Sequence, residues 1–201
     1  QIRGSLASII LLYSVKYIKS KEFAKFMAVV LIASLFHVTA LIFILGYIYE
    51  NHLYNGKWSQ VGILFSLAVV AGLIVKSPSL YLWAIPGRYA PYFTNPAYTS
   101  GKWLMNPVLW MQLLIFFGTL LFTKIQQDEK YRTYHNLYLF ASLILIAFGN
   151  LETVGGRLSS PFATYEMFVA PYFILNFTKN KLLNLIFAIG FTVVIFLLIF
   201  I

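Results

Sequence analysis

Long apolar runs dominate this chain and limit what it can fold into. Charged residues make up only 10% of the 201 residues and hydrophobic ones 60%, a balance that no soluble domain of this size shows. We therefore predict an all-α fold, a polytopic transmembrane helical bundle of about seven to eight membrane segments. The apolar runs lie at 4–18, 23–49, 59–75, 107–123, 134–150, 182–201 and, more broken, 161–178.

The composition also excludes several classes of protein. The chain has no cysteine, which rules out disulfide frameworks, iron–sulfur sites and thiol catalysis. It has no basic tract typical of nucleic-acid binding, and no glycine-rich phosphate loop followed by Lys-Ser/Thr. Its histidines and carboxylates lack metal-ligand spacing, so we expect neither a metal nor a cofactor.

The whole of 1–201 is expected to form a single transmembrane domain. Because the chain opens on Gln1 and closes inside an apolar run, we expect it to be part of a longer chain with further helices before it. The stretch 76–106 holds prolines at positions 78, 86, 91 and 96 and cannot be one helix. Its aromatic residues argue against disorder, so we predict one long, ordered extracytoplasmic loop.

The run 23–49 can form one long helix or two short helices hinged near 36–39. The hinged version places ten basic residues on the inner side and five on the outer side, against eight and seven for the single helix. The positive-inside rule favours the hinge, and the single helix stays open. In the hinged version nine of eleven lysines lie inside, whereas three of four arginines lie outside: Arg3, Arg88 and Arg157.

Arg157 is the outer arginine with the most informative context. A guanidinium binds phosphate or carboxylate through two parallel hydrogen bonds. Arg157 follows Gly155 and Gly156, and it precedes a helix that we predict to begin at Pro161, where free N–H groups and the helix dipole favour an anion. These features indicate a diphosphate site. The alternative is that Arg157 pairs with Glu152 or extends to lipid headgroups.

The aromatic residues of the long loop have two interpretations. They can stack on sugar rings, or they can form the aromatic belt common at membrane interfaces. The belt is favoured for most of the loop's seven aromatic residues, which are Tyr81, Trp83, Tyr89, Tyr92, Phe93, Tyr98 and Trp103. Tyr89 and Tyr92 lie closest to Arg88 in "PGRYAPYF" and are the candidates for sugar binding.

Two residues are candidates for proton transfer. Glu166 is expected on the second turn of its helix near the outer surface, where an unpaired carboxylate is costly. It is interpreted either as a general base for a sugar hydroxyl or as the salt-bridge partner of Arg157 or Arg3. His37 lies at the predicted hinge, where it either donates to a phosphate, acts as a base, or caps free carbonyl groups.

Four short motifs, taken in order, resemble the EpsG/Wzy-like family of polysaccharide polymerases. They are "QIRGSLASI", "ASLFHVTALI", "PGRYAPYF" and "GGRLSSPFATYEMFVAPYF". The resemblance covers nearly the whole chain but not the family's N-terminal helices, and Gly4 departs from the larger polar residue expected after the arginine. The matching positions are Arg3, Phe36, His37, Arg88, Tyr89, Tyr92, Arg157, Tyr165 and Pro171.

The resemblance implies a metal-independent membrane glycosyltransferase, multi-pass in the bacterial plasma (inner) membrane, with its active site facing outward. It would transfer a glycan from undecaprenyl diphosphate, or another polyprenyl diphosphate, to a second lipid-linked oligosaccharide repeat unit. Such a polymerase serves exopolysaccharide, capsule or O-antigen synthesis in the cell envelope. The implied partners are the lipid-linked oligosaccharide, the lipid bilayer, and chain-length regulator and flippase proteins, without nucleic acid.

The candidate residues divide into two groups under this hypothesis. The substrate-binding group consists of guanidiniums for the diphosphate and tyrosines lining the acceptor groove, and the catalytic group supplies the base. They are Arg157, Arg88, Arg3, Tyr89 and Tyr92 for binding, and Glu166 or His37 for catalysis.

Two other functions stay open. An anion transporter or channel would use the outer arginines for selectivity, with Pro171 marking a broken helix, but the chain lacks the internal repeat expected of a transporter. A membrane acyltransferase that modifies surface glycans would need a histidine facing the acyl donor. His37 is predicted on the side opposite a cytoplasmic thioester.

Overall fold

A computed structural model describes residues 2–87, 90–96, 98, 99 and 103–200, apart from the side chains of 194–196 and 198–200. No strand occurs within these ranges, so the all-α prediction is confirmed. Shorter helical turns connect the α-helices at Val38–Phe43, Tyr49–Leu53, Pro78–Leu80, Leu82–Ala84, Trp103–Met105 and Ile125–Gln127. The α-helices are α1 Ile2–Lys19, α2 Phe23–Phe36, α3 Ile44–Ile48, α4 Trp58–Val75, α5 Pro91–Thr94, α6 Pro107–Phe122, α7 Glu129–Phe148, α8 Glu152–Ala163, α9 Glu166–Asn176 and α10 Lys181–Phe200.

One helix of the described chain, α4, is both long and apolar enough to cross a membrane by itself, with 18 residues and a mean hydropathy of 2.0. The predicted count of seven to eight membrane segments is therefore not confirmed. The other apolar helices are shorter; α2 has 14 residues, about 21 Å at 1.5 Å per residue, against a hydrocarbon core of about 30 Å. These shorter apolar stretches are Phe23–Phe36, Val38–Leu53, Pro107–Phe122 and Lys181–Val193.

Helix α7 lies at the centre of the bundle, and many apolar side chains of the outer helices remain exposed on its outside. Buried residues of α7 include Tyr138, Ala141 and Ile144. On α4, by contrast, Ile63 is 60% exposed and Leu67 is 59% exposed. Extensive apolar exposure on the outside of a helical bundle is expected where lipid rather than water surrounds it.

The chain breaks its helix at His37, as the hinged interpretation predicts. Helix α2 ends at Phe36, His37 is extended with φ −153° and ψ 117°, and a 3₁₀ turn begins at Val38. The Nδ1 atom of His37 accepts a hydrogen bond from the backbone N–H of Thr39 and so caps that turn. The single long helix over 23–49 is therefore wrong.

The segment after α7 differs from its predicted form. Helix α8 begins at Glu152 and contains Pro161, so the predicted helix start at Pro161 is wrong. A turn at Thr164 and Tyr165 then separates α8 from α9. Consequently Arg157 lies within α8 itself, and the next helix begins only at Glu166.

Described parts of the long loop 76–106 are held by hydrogen bonds to the helices. The indole N–H of Trp103 donates to the carbonyl of Ile146 over 2.7 Å, and the hydroxyl of Tyr81 donates to the carbonyl of Val75 over 2.8 Å. Two of the loop's aromatic residues therefore have structural roles. Arg88 and Tyr89 lie outside the described residues.

One end of the bundle collects polar contacts among α1, the turn at Tyr49–Leu53 and α7. Lys19 Nζ donates to the carbonyl of Lys130 over 2.7 Å. Glu50 accepts from the Asn136 amide over 2.8 Å and from the Thr133 hydroxyl over 3.1 Å. We call this end, defined by Lys19, Glu50 and Lys130, the lysine end.

Candidate functional site

The opposite end of the bundle contains a cavity of 860 Å³ built from α1, the His37 break and α8. Helices α1 and α8 pack together, so the first turn of α1 brings Arg3 close to the part of α8 that carries Arg157. We call this space the polar cavity and this end of the bundle the arginine end. The polar side chains that matter here are Arg3, Ser8, His37, Glu152, Arg157 and Ser160.

The two arginines of the polar cavity form no ion pair with a carboxylate among the described residues. In the described part of the chain, ion pairs form between Lys25 and Glu22 and between Arg132 and Glu50, and neither involves Arg3 or Arg157. The alternative in which Arg157 forms a salt bridge with Glu152 is therefore not observed. Two exposed guanidiniums that line the same cavity without a carboxylate partner suit a bound anion such as phosphate.

His37 is held in one orientation by the residue two positions further on. Its Nδ1 lies 3.3 Å from the backbone nitrogen of Thr39 and 2.9 Å from the Thr39 hydroxyl oxygen. A backbone N–H can only donate, so Nδ1 must offer its lone pair. The neutral ring therefore carries its proton on Nε2, an assignment made from the hydrogen bond. His37 consequently presents a donor on its free nitrogen rather than a base.

Gly4 allows the His37 ring to lie close against α1. A Cβ atom at Gly4 would come within 3.2 Å of His37 Cδ2 and 3.8 Å of Nε2, so any larger residue would require the ring to shift by a few tenths of an ångström. The departure of Gly4 from the expected larger polar residue thus has a structural reason. Four residues further along α1, Ser8 is only 4% exposed, and its hydroxyl has no hydrogen-bond partner in the described chain.

Glu166 does not line the polar cavity. It is the first residue of α9, and its Oε2 accepts a hydrogen bond of 2.9 Å from the hydroxyl of Tyr138, midway along α7. The preceding Tyr165 is buried, and its hydroxyl donates to the carbonyl of Leu11 in the middle of α1 over 3.4 Å. Glu166 therefore lies near the middle of the bundle rather than at the predicted position near its outer surface. The reason is that α8 occupies the outer part of this segment and α9 begins only after it. No salt bridge joins it to Arg157 or Arg3 in the described chain.

Tyr92 lines a second cavity, of 380 Å³, beside the polar one. Its ring packs 5.0 Å from the ring of Tyr98. We call this second space the apolar cavity, since most of its lining is aliphatic or aromatic. The structure thus brings four of the seven predicted site residues to two adjoining cavities: Arg3, His37, Tyr92 and Arg157.

Sequence reasoning missed several residues of the site. Gly4 packs against His37, a neighbour that the sequence does not reveal, and Ser8 is buried beside the cavity without a hydrogen-bond partner in the described chain. Thr39 fixes the His37 ring through a local hydrogen bond. One indication of these residues was present in the sequence, which was the unexpected glycine next to Arg3. Across the described residues, no group of three or more histidine or acidic side chains could hold a metal ion.

Comparisons with known proteins give a family but no individual relative. No curated protein matches the chain. No solved structure matches it either. The model of the EpsG family matches residues 1–201, the full length of the sequence given. The chain therefore belongs to the EpsG family.

Proposed function

We propose that this chain is a membrane glycosyltransferase that polymerises glycan repeat units carried on polyprenyl diphosphate. Membership of the EpsG family indicates a membrane protein associated with exopolysaccharide. The reaction and substrate proposed here go further than that and draw on the chemistry of the arginine end. The observation that carries the proposal is the pair of guanidiniums, Arg3 and Arg157, that line one cavity and form no ion pair in the part of the chain that the structure describes.

The proposed reaction needs positive charge where its leaving group forms. The bond between the anomeric carbon and the diphosphate oxygen breaks, and a bond forms from that carbon to a hydroxyl oxygen of the acceptor sugar. The polyprenyl diphosphate leaves with the bonding electrons and gains negative charge. Arg3 and Arg157 line the cavity where that charge would develop, and guanidiniums can stabilise it by paired hydrogen bonds.

Two further groups of the polar cavity have assigned roles, one as a hydrogen-bond donor and one as the base. His37 is assigned the donation of its Nε2 proton as a hydrogen bond to a phosphate oxygen, because its Nδ1 is engaged by Thr39. Glu152 is the carboxylate that lines this cavity, and it is assigned acceptance of the proton from the attacking hydroxyl. This assignment replaces the expectation that Glu166 or His37 is the base.

We place the arginine end on the outer face of the plasma membrane, where lipid-linked repeat units, a flippase and a chain-length regulator would meet it. An anion transporter would also use unpaired arginines. The carboxylate and the imidazole donor within the same cavity favour a reaction that moves a proton.

The test is the polymer made by Arg157→Ala and Arg157→Lys variants. Both should leave single repeat units on the cell surface and lose long polymer, because a lysine cannot reproduce the two-pronged contact. Lys124→Ala is the matched control, since Lys124 is an exposed cation that lines a cavity with Lys57 and Gln126, away from Arg157. Normal chain lengths in Arg157→Ala would exclude the diphosphate role, and full activity in Arg157→Lys would indicate simple charge pairing.

A further inference from the structure

The polar and apolar cavities share part of their lining. The residues common to both are His37, Thr39, Thr153 and Arg157, so the strongest phosphate-binding groups lie at the boundary between the two spaces. The cavities measure 860 Å³ and 380 Å³, both within the roughly 300–1,000 Å³ of ordinary ligand pockets.

The apolar cavity has the chemistry of a hydrocarbon site. Away from the shared boundary its lining includes Ile85, Phe93, Val154 and Leu158. Such a surface gains free energy when it covers a hydrocarbon and offers little to a sugar. A ligand that fills both cavities must therefore be apolar on one side and hydrophilic on the other.

The apolar cavity also adjoins the apolar exterior of the bundle. Val38, which lines it, is 67% exposed. Its neighbours Leu35 and Phe36 are 85% and 42% exposed, so an apolar surface continues from the cavity along α2. A hydrocarbon chain longer than the cavity can leave over this surface into the membrane.

We propose that the apolar cavity binds the isoprene units nearest the diphosphate of the lipid carrier. Arg157 and His37 then hold the diphosphate at the boundary, with Arg3 on its polar side, and the glycan extends into the polar cavity toward Ser8. This inference rests on the proposed function and adds the direction in which the lipid-linked substrate lies. The occupant is an isoprenoid diphosphate rather than a bilayer phospholipid, since two guanidiniums and an imidazole donor match the multiple oxygens of a diphosphate.

The experiment measures binding of farnesyl diphosphate and of inorganic diphosphate to the full chain in phosphatidylcholine nanodiscs. Val38→Trp and Val154→Phe place larger side chains into the apolar cavity from two different elements. Each should weaken binding of farnesyl diphosphate about tenfold, because roughly two methylene groups lose their contacts. Binding of inorganic diphosphate should stay within about twofold, since neither substitution removes a charge or a donor.

Two variants serve as references for this measurement. Leu35→Trp makes a comparable change at a position three residues before Val38 but outside both cavities, and it should change neither affinity. Arg157→Ala should weaken both ligands. Retained binding of inorganic diphosphate in the Val38 and Val154 variants would show that they still fold.

The outcomes separate this inference from the proposed function. Wild-type farnesyl diphosphate binding in both cavity-filling variants, with loss in Arg157→Ala, would overturn the apolar subsite and leave the diphosphate site standing. Binding that does not depend on Arg157 would overturn the proposed function itself. Displacement of farnesyl diphosphate by an equal amount of phosphatidylglycerol would identify the cavity as an ordinary lipid site and reject the inference.

Discussion

The backbone N–H of Thr39 donates to Nδ1 of His37 over 3.3 Å, and this contact decides which ring nitrogen carries the proton. It forms where α2 stops, because the extended backbone of His37 turns its side chain back over the first turn of the next segment. The break in the helix and the orientation of the imidazole therefore have one cause. A base at this position would need a free lone pair, and Nε2, which bears the proton, does not have one.

Substitution of His37 by glutamine tests whether the residue donates or accepts a proton. A glutamine amide reaches about as far as Nε2 and supplies N–H donors, but it cannot act as a base at neutral pH. We expect His37→Gln to keep a substantial part of the transfer activity, whereas His37→Ala should lower kcat/KM by about 10- to 100-fold through loss of one hydrogen bond to a charged group. Transfer by purified variants from a lipid-linked repeat unit measures this. Equal inactivity of both variants would favour a base.

Replacement by glutamine should have opposite effects on transfer activity at Glu152 and at Glu166. Glu152→Gln should abolish transfer without loss of folded protein, because the exposed side chain lines the polar cavity and loses only its ability to accept a proton. Glu166→Gln should stay within about threefold of wild type, since its amide oxygen can still accept from Tyr138. Chain length on cells, with protein quantity as the control, distinguishes them. An inactive but folded Glu166→Gln together with an active Glu152→Gln would restore Glu166 as the base.

Much of the fold follows from the sequence, since apolar runs and charge distribution depend on neither tertiary contacts nor ligands. The break at His37 was predicted because a hinge gives the more uneven split of basic residues, ten inside against five outside. The start of α6 is equally local, since asparagine followed by proline is a typical helix start and the Asn106 side chain accepts from the N–H of Val108 over 2.9 Å. Both features are set by residues close together in the chain.

The start of α8 was not predictable, because the same residue types serve two purposes. Two adjacent glycines such as Gly155 and Gly156 are typical of a turn. Gly155 instead permits close packing, since a Cβ there would lie 2.7 Å from the carbonyl oxygen of Phe148. Pro161 was interpreted as a first helical residue, yet it is buried inside α8 next to Phe162, whose ring packs 5.1 Å from that of Phe43. Tertiary packing decided both cases.

The site itself was half predictable for a related reason. Charged residues such as Arg3 and Arg157 are conspicuous in an apolar sequence, and charge distribution along the chain groups them on one side. A small polar residue such as Ser8 carries no such signal. Serine is common within membrane helices, and only the structure shows that its hydroxyl is buried without a partner in the described chain beside a cavity.

Ser8→Ala should separate stability from substrate binding. A buried hydroxyl without a hydrogen bond costs about 1–3 kcal/mol, so its removal should leave thermal stability unchanged or slightly higher. If the hydroxyl contacts the glycan in the polar cavity, KM should rise about threefold to tenfold with little change in kcat. Ser142→Ala is the matched control, because Ser142 is also buried without a partner in the described chain but lies in α7 and outside both cavities. An unchanged KM in Ser8→Ala would remove Ser8 from the substrate site.

Single cysteines report which side of the membrane each end of the bundle faces. The chain has no native cysteine, so each new thiol is unique. Gly156 is exposed with no neighbouring atom within 4 Å of a Cβ built on it, which makes Gly156→Cys accessible at the arginine end. We expect a membrane-impermeant maleimide to label it on intact cells. Lys124 shares a cavity with Asn136, which binds Glu50 at the lysine end, and Lys124→Cys should be labelled only after permeabilisation. The reverse pattern would place Arg3 and Arg157 in the cytosol, where a lipid-linked repeat unit that has already crossed the membrane cannot reach them.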